Sequence, residues 1–250
     1  MNNYRFFTTA DVIATPTRDS VIEIEKMKRT VLASDTSEEG KALYNSIVDV
    51  NSWLPQASKV YNISGNINDY VVVKVCIMLS DLPNRNGVAF PLRELVKFNP
   101  DMGCLGYQTW KGKPCHQEHK NDIIANAKGV IFDSVLKPAS EFQGDLYKVI
   151  LLAGFDRKKD SKLYNDIVNG TNNAYSMGAY SGDFQCSVCG ALHSKGGCKH
   201  ASQFNPEFKK YDDTISFLNA TDIVGFELSA VKTPAYVMAI NNEVTEMSKL

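Results

Sequence analysis

The strongest constraint on this chain is a succession of short apolar runs, rich in β-branched residues, across its middle. Tyr70–Leu79 carries Val71, Val72, Val73, Val75 and Ile77 and reads as a central strand. Residues 129–136, 146–155, 174–180 and 223–231 read as further strands. Lys74 interrupts the longest run, and no run reaches the length that crosses a bilayer. The middle of the chain is therefore expected to be a β-barrel or sandwich with a few peripheral helices, mainly β in an α+β sense.

Helical signals lie around this block. Residues 21–32 and 37–50 have helical spacing, with Asp35, Thr36 and Ser37 as N-cap candidates for the second helix. Residues 158–168 put Leu163 and Ile167 on one face, with Gly170 as a stop. Residues 91–98 read as a short helix with Pro91 in its first turn. Between strand and helix, residues 81–87 are turn formers, and Asn84 and Asn86 are expected to bond their own backbone. Residues 1–69 read as a peripheral or pro-segment and residues 70–250 as the main domain.

Composition narrows the function classes. The 250 residues are 44% hydrophobic and 22% charged, enough for one domain with a full core. A net charge of −1 argues against a nucleic-acid or membrane surface. The N-terminus lacks the basic and apolar blocks of a signal peptide, so a cytosolic setting is expected. There, the 6 cysteines are thiols or metal ligands rather than disulfides.

Three of those cysteines fall together. Cys186-Ser187-Val188-Cys189 is a CxxC knuckle, followed by Cys198-Lys199-His200. Structural zinc takes four such ligands in a tetrahedron, and Gly190, Gly196 and Gly197 let so small a loop close. Cys186, Cys189, Cys198 and His200 are the expected ligands of a structural zinc in an insertion over residues 184–215, with His193 the competitor for the fourth place. A nucleic-acid-binding knuckle has thin support from Lys195, Lys199, Lys209, Lys210 and Phe204. Cys76, Cys104 and Cys115 read as small buried hydrophobes.

A second constellation is hydrolytic. Ser176 lies on an expected strand, and a serine needs a base in reach that is itself oriented. Of the 4 histidines, those not claimed by the metal are His116 and His119. His116 reads as a satisfied or exposed loop residue rather than a catalyst, and Glu227 could equally pair with a surface lysine.

Several segments in order resemble the prohead (capsid maturation) proteases of tailed phages, in the herpesvirus assemblin superfamily. Asn84-Arg85-Asn86-Gly87-Val88-Ala89-Phe90-Pro91 is similar to the family's Asn-x-Asn turn with an aromatic-Pro end. Gly112-Lys113-Pro114 with His119, then Gly129-Val130-Ile131, resembles its Gly-Lys-Pro, Asn-His and Gly-x-Ile elements, with Glu118 replacing the usual Asn. Leu163, Ile167 and Gly170 leading to Ser176-Met177-Gly178 resemble its helix and nucleophile strand. Glu227-Leu228-Ser229-Ala230-Val231 with Pro234-Ala235 resembles its terminal signature. A zinc-finger insertion after the nucleophile strand also resembles large-genome phage relatives.

The resemblance covers residues 70–239. It implies an assemblin-like closed β-barrel and a serine endopeptidase, a hydrolase of viral capsid assembly. Ser176 would be the nucleophile, His119 the base and Glu227 the orienting acid, with Glu118 and Asp133 as rival orienters. The implied substrates are phage scaffold and major capsid proteins, often cut after glutamate, inside a prohead in the host cytoplasm or retained in the virion. Autoprocessing at Ser37-Glu38-Glu39-Gly40 is an expectation of the same kind. The alternative is a catalytically inactive virion structural protein with the same fold and a structural zinc.

Overall fold

The computed structural model describes residues 4–9, 38–84, 86–139, 142, 145–200, 209–211, 214–231 and 243–246. Among the described residues strand outweighs helix, 42% against 23%, so the fold is mainly β. In chain order the early strands are β1 (Tyr4–Thr9), β2 (Tyr70–Leu79), β3 (Val88–Ala89), β4 (Phe98–Asn99), β5 (Cys104–Leu105), β6 (Pro114–Gln117), β7 (Gly129–Pro138) and β8 (Tyr147–Asp156). The later ones are β9 (Ala174–Ser181), β10 (Asp183–Cys186), β11 (Lys209–Tyr211), β12 (Thr214–Ser216), β13 (Leu218–Thr221), β14 (Val224–Val231) and β15 (Glu243–Glu246). The α-helices are α1 (Glu38–Tyr61), α2 (Leu92–Leu95) and α3 (Ser161–Val168).

The main sheet has the order β1-β9-β14-β6-β7-β8-β2-β15 and curls into a half-barrel. Its neighbours are antiparallel except β14 and β6, which run parallel. No described pairing joins the outer strands β1 and β15. Strand alternation divides β2 between two cores. Val71, Val73, Val75 and Ile77 enter the large core with Leu151, Phe155, Tyr175, Met177 and Leu228. Tyr70 and Val72 face the other way, into a smaller cluster with Val50, Leu54, Val130 and Phe132. α3 adds Leu163 and Ile167 to the large core, and Gly170 follows it at φ 73°, as its spacing anticipated.

Three boundaries differ from the sequence reading. The helix expected to end at Val50 continues to Tyr61, because Val50 and Leu54 pack under Phe132 and the Tyr61 hydroxyl donates to the Gly112 carbonyl at 2.7 Å. The helix expected over 91–98 is only Leu92–Leu95: Pro91 stands at its N-cap and Phe98 is already in β4. The strand expected to end at residue 136 runs on to Pro138. Glu38, Glu39 and Gly40 open α1, in line with the helix expected over 37–50, and a helical backbone must unwind before a protease cleft accepts it. Of the segment read as peripheral, residues 4–9 hydrogen-bond to β9 and α1 packs on the sheet. The helix expected over 21–32, the caps Asp35 to Ser37, and Pro234-Ala235 lie outside the described residues.

A smaller sheet, β10-β13-β3, continues the path of the main one. β9 runs on into β10, and β13 runs on into β14. The bend between them is fastened by the Ser181 hydroxyl, which donates to the Thr221 carbonyl at 2.8 Å, and by the Asp183 amide, which donates to Thr221 Oγ1 at 3.1 Å. The cysteine segment leaves this ribbon at Cys186 and the chain returns to it at Leu218, the Cα partner of Cys186.

Candidate functional site

Two sites stand at opposite ends of that ribbon. At its distal end, Cys186, Cys189, Cys198 and His200 bring their ligand atoms within 4.8 Å of one another. A tetrahedron with metal–sulfur bonds of about 2.3 Å needs ligand atoms roughly 3.8 Å apart, so small side-chain shifts bring the group onto one ion. The knuckle is built by backbone: the Cys186 amide donates to the Ala191 carbonyl, the Gly190 amide returns to the Cys186 carbonyl, and Gly190 takes φ 73°. The Val188 amide donates to Cys186 Sγ at 3.4 Å and orients the sulfur. A backbone hydrogen bond from Ala191 lowers the Cys189 thiol, but the crowding Cys198 and Cys186 thiols push it above its ordinary value. Three thiols held this close are a donor set that suits a soft cation. His193, the competitor for the fourth place, instead sets its ring against Phe184 at 6.3 Å and faces Asp183. Phe204 and the side chains of Lys209 and Lys210, named for the nucleic-acid alternative, lie outside the described residues.

At the proximal end, period-two alternation splits β9 and β14. Tyr175, Met177, Ala179, Leu228 and Ala230 fill the large core. The opposite face carries Ser176, Gly178, Glu227 and Ser229, all buried: Ser176 is 4% exposed and Glu227 0%. Register pairs Ser176 with Ser229 and Gly178 with Glu227. His119 Nδ1 lies 2.7 Å from Glu227 Oε1, and Ser229 Oγ donates to Glu227 Oε2 at 3.1 Å. The carboxylate on His119 Nδ1 is therefore that of Glu227; the reading of Glu227 as a surface partner for lysine is wrong. Asp133 lies on β7, two strands from β14 in the sheet order.

The turn that presents His119 is strained. Glu118 and His119 follow β6 with φ 51° and 53°, left-handed values unusual outside glycine. The Glu118 amide donates to the Ala230 carbonyl at 2.9 Å and anchors the turn to β14. His119 keeps a side chain 27% exposed above the buried acid. His116, read from sequence as a loop residue, is buried on β6 in register with Ser229. Burial, and then the nearby Glu227 charge, push the Cys115 thiol well above its ordinary value, so Cys115 is the inert small hydrophobe the sequence implied; Cys76 is buried likewise, and Cys104 is half-exposed.

Residues without a local signal complete the site. A Cβ on Gly178 would lie 2.8 Å from Glu227 Cγ and 2.5 Å from Phe226 Cζ, so glycine makes the slot for the acid. β14 bulges between Gly225 and Glu227, and Trp110 fills the space beside Gly225 while its indole donates to the Gly178 carbonyl at 3.2 Å. The Gly225 amide donates to Thr109 Oγ1 at 2.7 Å. The turn Gly106–Trp110 thus holds both strands of the site.

Compared with protein-family models, curated proteins and solved structures, the chain matches none. No helix among the described residues is long and apolar enough to cross a membrane.

Proposed function

We propose that this chain is a serine endopeptidase of the prohead-maturation type, with Ser176 as nucleophile, His119 as general base and Glu227 as orienting acid. The observation that carries the reading is the fully buried Glu227 carboxylate 2.7 Å from His119 Nδ1, on the strand registered with the Ser176 strand. With Nδ1 engaged by the acid, Nε2 is the nitrogen left to take the Ser176 proton. Ser176 Oγ would then attack a peptide carbonyl, and the tetrahedral intermediate would collapse as imidazolium returns the proton to the leaving amine. Water, activated by the same imidazole, would release the acyl group and restore the serine. The half-barrel would be the assemblin-type barrel, and the substrates would be scaffold and capsid proteins inside an immature head, with autoprocessing of the chain itself.

Cys186, Cys189, Cys198 and His200 would hold a zinc ion. Its chemistry there is structural: four protein ligands leave no open position, and binding folds a segment too polar to fold alone. A second reading, an inactive virion structural protein with this zinc site, is favoured by one observation, the 4% exposure of Ser176. Ser176→Ala separates the two. The peptidase reading expects processing of co-expressed head proteins to fall by at least about a thousandfold; unchanged processing leaves the structural reading.

A further inference from the structure

The resting geometry leaves one residue beside the three just named. Ser229 is fully buried, two positions after Glu227 on the same face of β14 and directly across from Ser176. Its hydroxyl donates to Glu227 Oε2, while Oε1 faces His119. The two carboxylate oxygens are thereby divided between two partners. Gly178 closes the slot on the other side, since a Cβ there would stand 2.8 Å from Glu227 Cγ.

The geometry points to Ser229 as the positioning residue that fixes the Glu227 carboxylate for His119; its part in turnover rests on the peptidase reading. A glutamate has one more rotatable bond than an aspartate, and in a buried slot it must be held at both oxygens to present one of them steadily. Ser229 supplies the second hold. Its hydroxyl hydrogen is committed to the carboxylate. The hydroxyl also spreads the carboxylate charge. Without it, more of that charge falls on His119, and the imidazolium becomes easier to form.

The test uses the full chain, with NMR titration of the His119 ring in wild type and in Ser229→Ala. The expected result is a His119 midpoint raised by about half a pH unit in the variant, with kcat about tenfold lower, KM unchanged and the acid limb of the rate profile moved upward by the same amount. Ser229→Thr keeps the hydroxyl and is expected to restore the wild-type midpoint. Circular dichroism establishes that each variant is folded. An unchanged His119 midpoint in folded Ser229→Ala overturns the assignment, as does a Ser229→Thr midpoint that follows the alanine variant. A wild-type Ser176 inert to a fluorophosphonate would defeat the peptidase reading alone, because the titration reads the hold of Ser229 on Glu227 without turnover.

Discussion

The metal group and the serine–histidine site are built from opposite kinds of sequence information. The metal group draws every ligand from residues 186–200, and its geometry follows from a knuckle and glycines that are neighbours in the chain. The other site pairs His119 with Glu227, 108 residues apart in the chain, and Ser176 lies on the strand paired with that of Glu227, opposite Ser229. The first is local, its four candidate ligand atoms gathered by one short loop. The second is non-local, held by register, a bulge and a packed tryptophan. Local sites are robust to changes elsewhere in the fold; non-local ones inherit every error in strand pairing.

The largest effect expected to sharpen this contrast is at the metal. Cys198→Ser should remove bound zinc from one equivalent to none by metal analysis and lower Tm by roughly 5–10 °C. Because the chain re-enters the main sheet through β14, beyond the Ser181 and Thr221 fastening, the His119 titration should hardly move. A large movement would show that the two sites are not independent.

A smaller effect should come from the sheet site. Gly178→Ala drives a Cβ to 2.5 Å from the Phe226 ring and 2.8 Å from Glu227 Cγ. The overpacking should cost about 2 kcal/mol by denaturant unfolding and displace the acid, while zinc content stays at one equivalent. A neutral variant would mean that the slot is not as tight as the register implies.

The smallest concerns the far edge of the sheet, where both sites should be silent. Asp69 is buried, and burial raises its pKa, but Lys158, Ser64 and Arg157 outweigh this and hold the carboxyl below its ordinary range. A depressed folded value stabilises the protein above the unfolded pKa and is lost as pH falls through the folded one. Asp69→Asn should therefore cost about 1 kcal/mol near neutral pH, and the difference from wild type should begin to shrink as pH falls past the unfolded value of about 4 and vanish only as it falls through the lower folded one. A difference that stays constant through this acid range would exclude the ion pairs as its cause.

The same contrast explains what was legible in the sequence. β2 begins and ends where its β-branched run does, and β9 and β14 keep the alternation that puts Met177 and Leu228 inside. Asn84 bonds the Asn86 and Val88 amides through its own side chain, as its turn chemistry implied. The second half of α1 was hidden, because Asn51, Ser52 and Pro55 are poor helix formers and its support is tertiary, the packing of Val50 and Leu54 under the sheet and the Tyr61 bond to Gly112. Trp110 and Gly225 carried no signal, since each acts on a partner distant in the chain; Gly178 and Ser229 stood inside the resemblance motifs with no role attached to them, because the slot they make around Glu227 exists only once the strands pair. Glu227 and His119 were named by family resemblance; period alone put Glu227 on a strand without saying which face was buried.

The central claim is that Ser176 is the reactive serine of this constellation. Wild type and Ser176→Ala treated with a fluorophosphonate, followed by intact mass and peptide mapping, address it directly. The expected result is a single adduct on Ser176 in wild type and none in the variant. A wild-type protein that stays unmodified, or an adduct on Ser229 in its place, would contradict it.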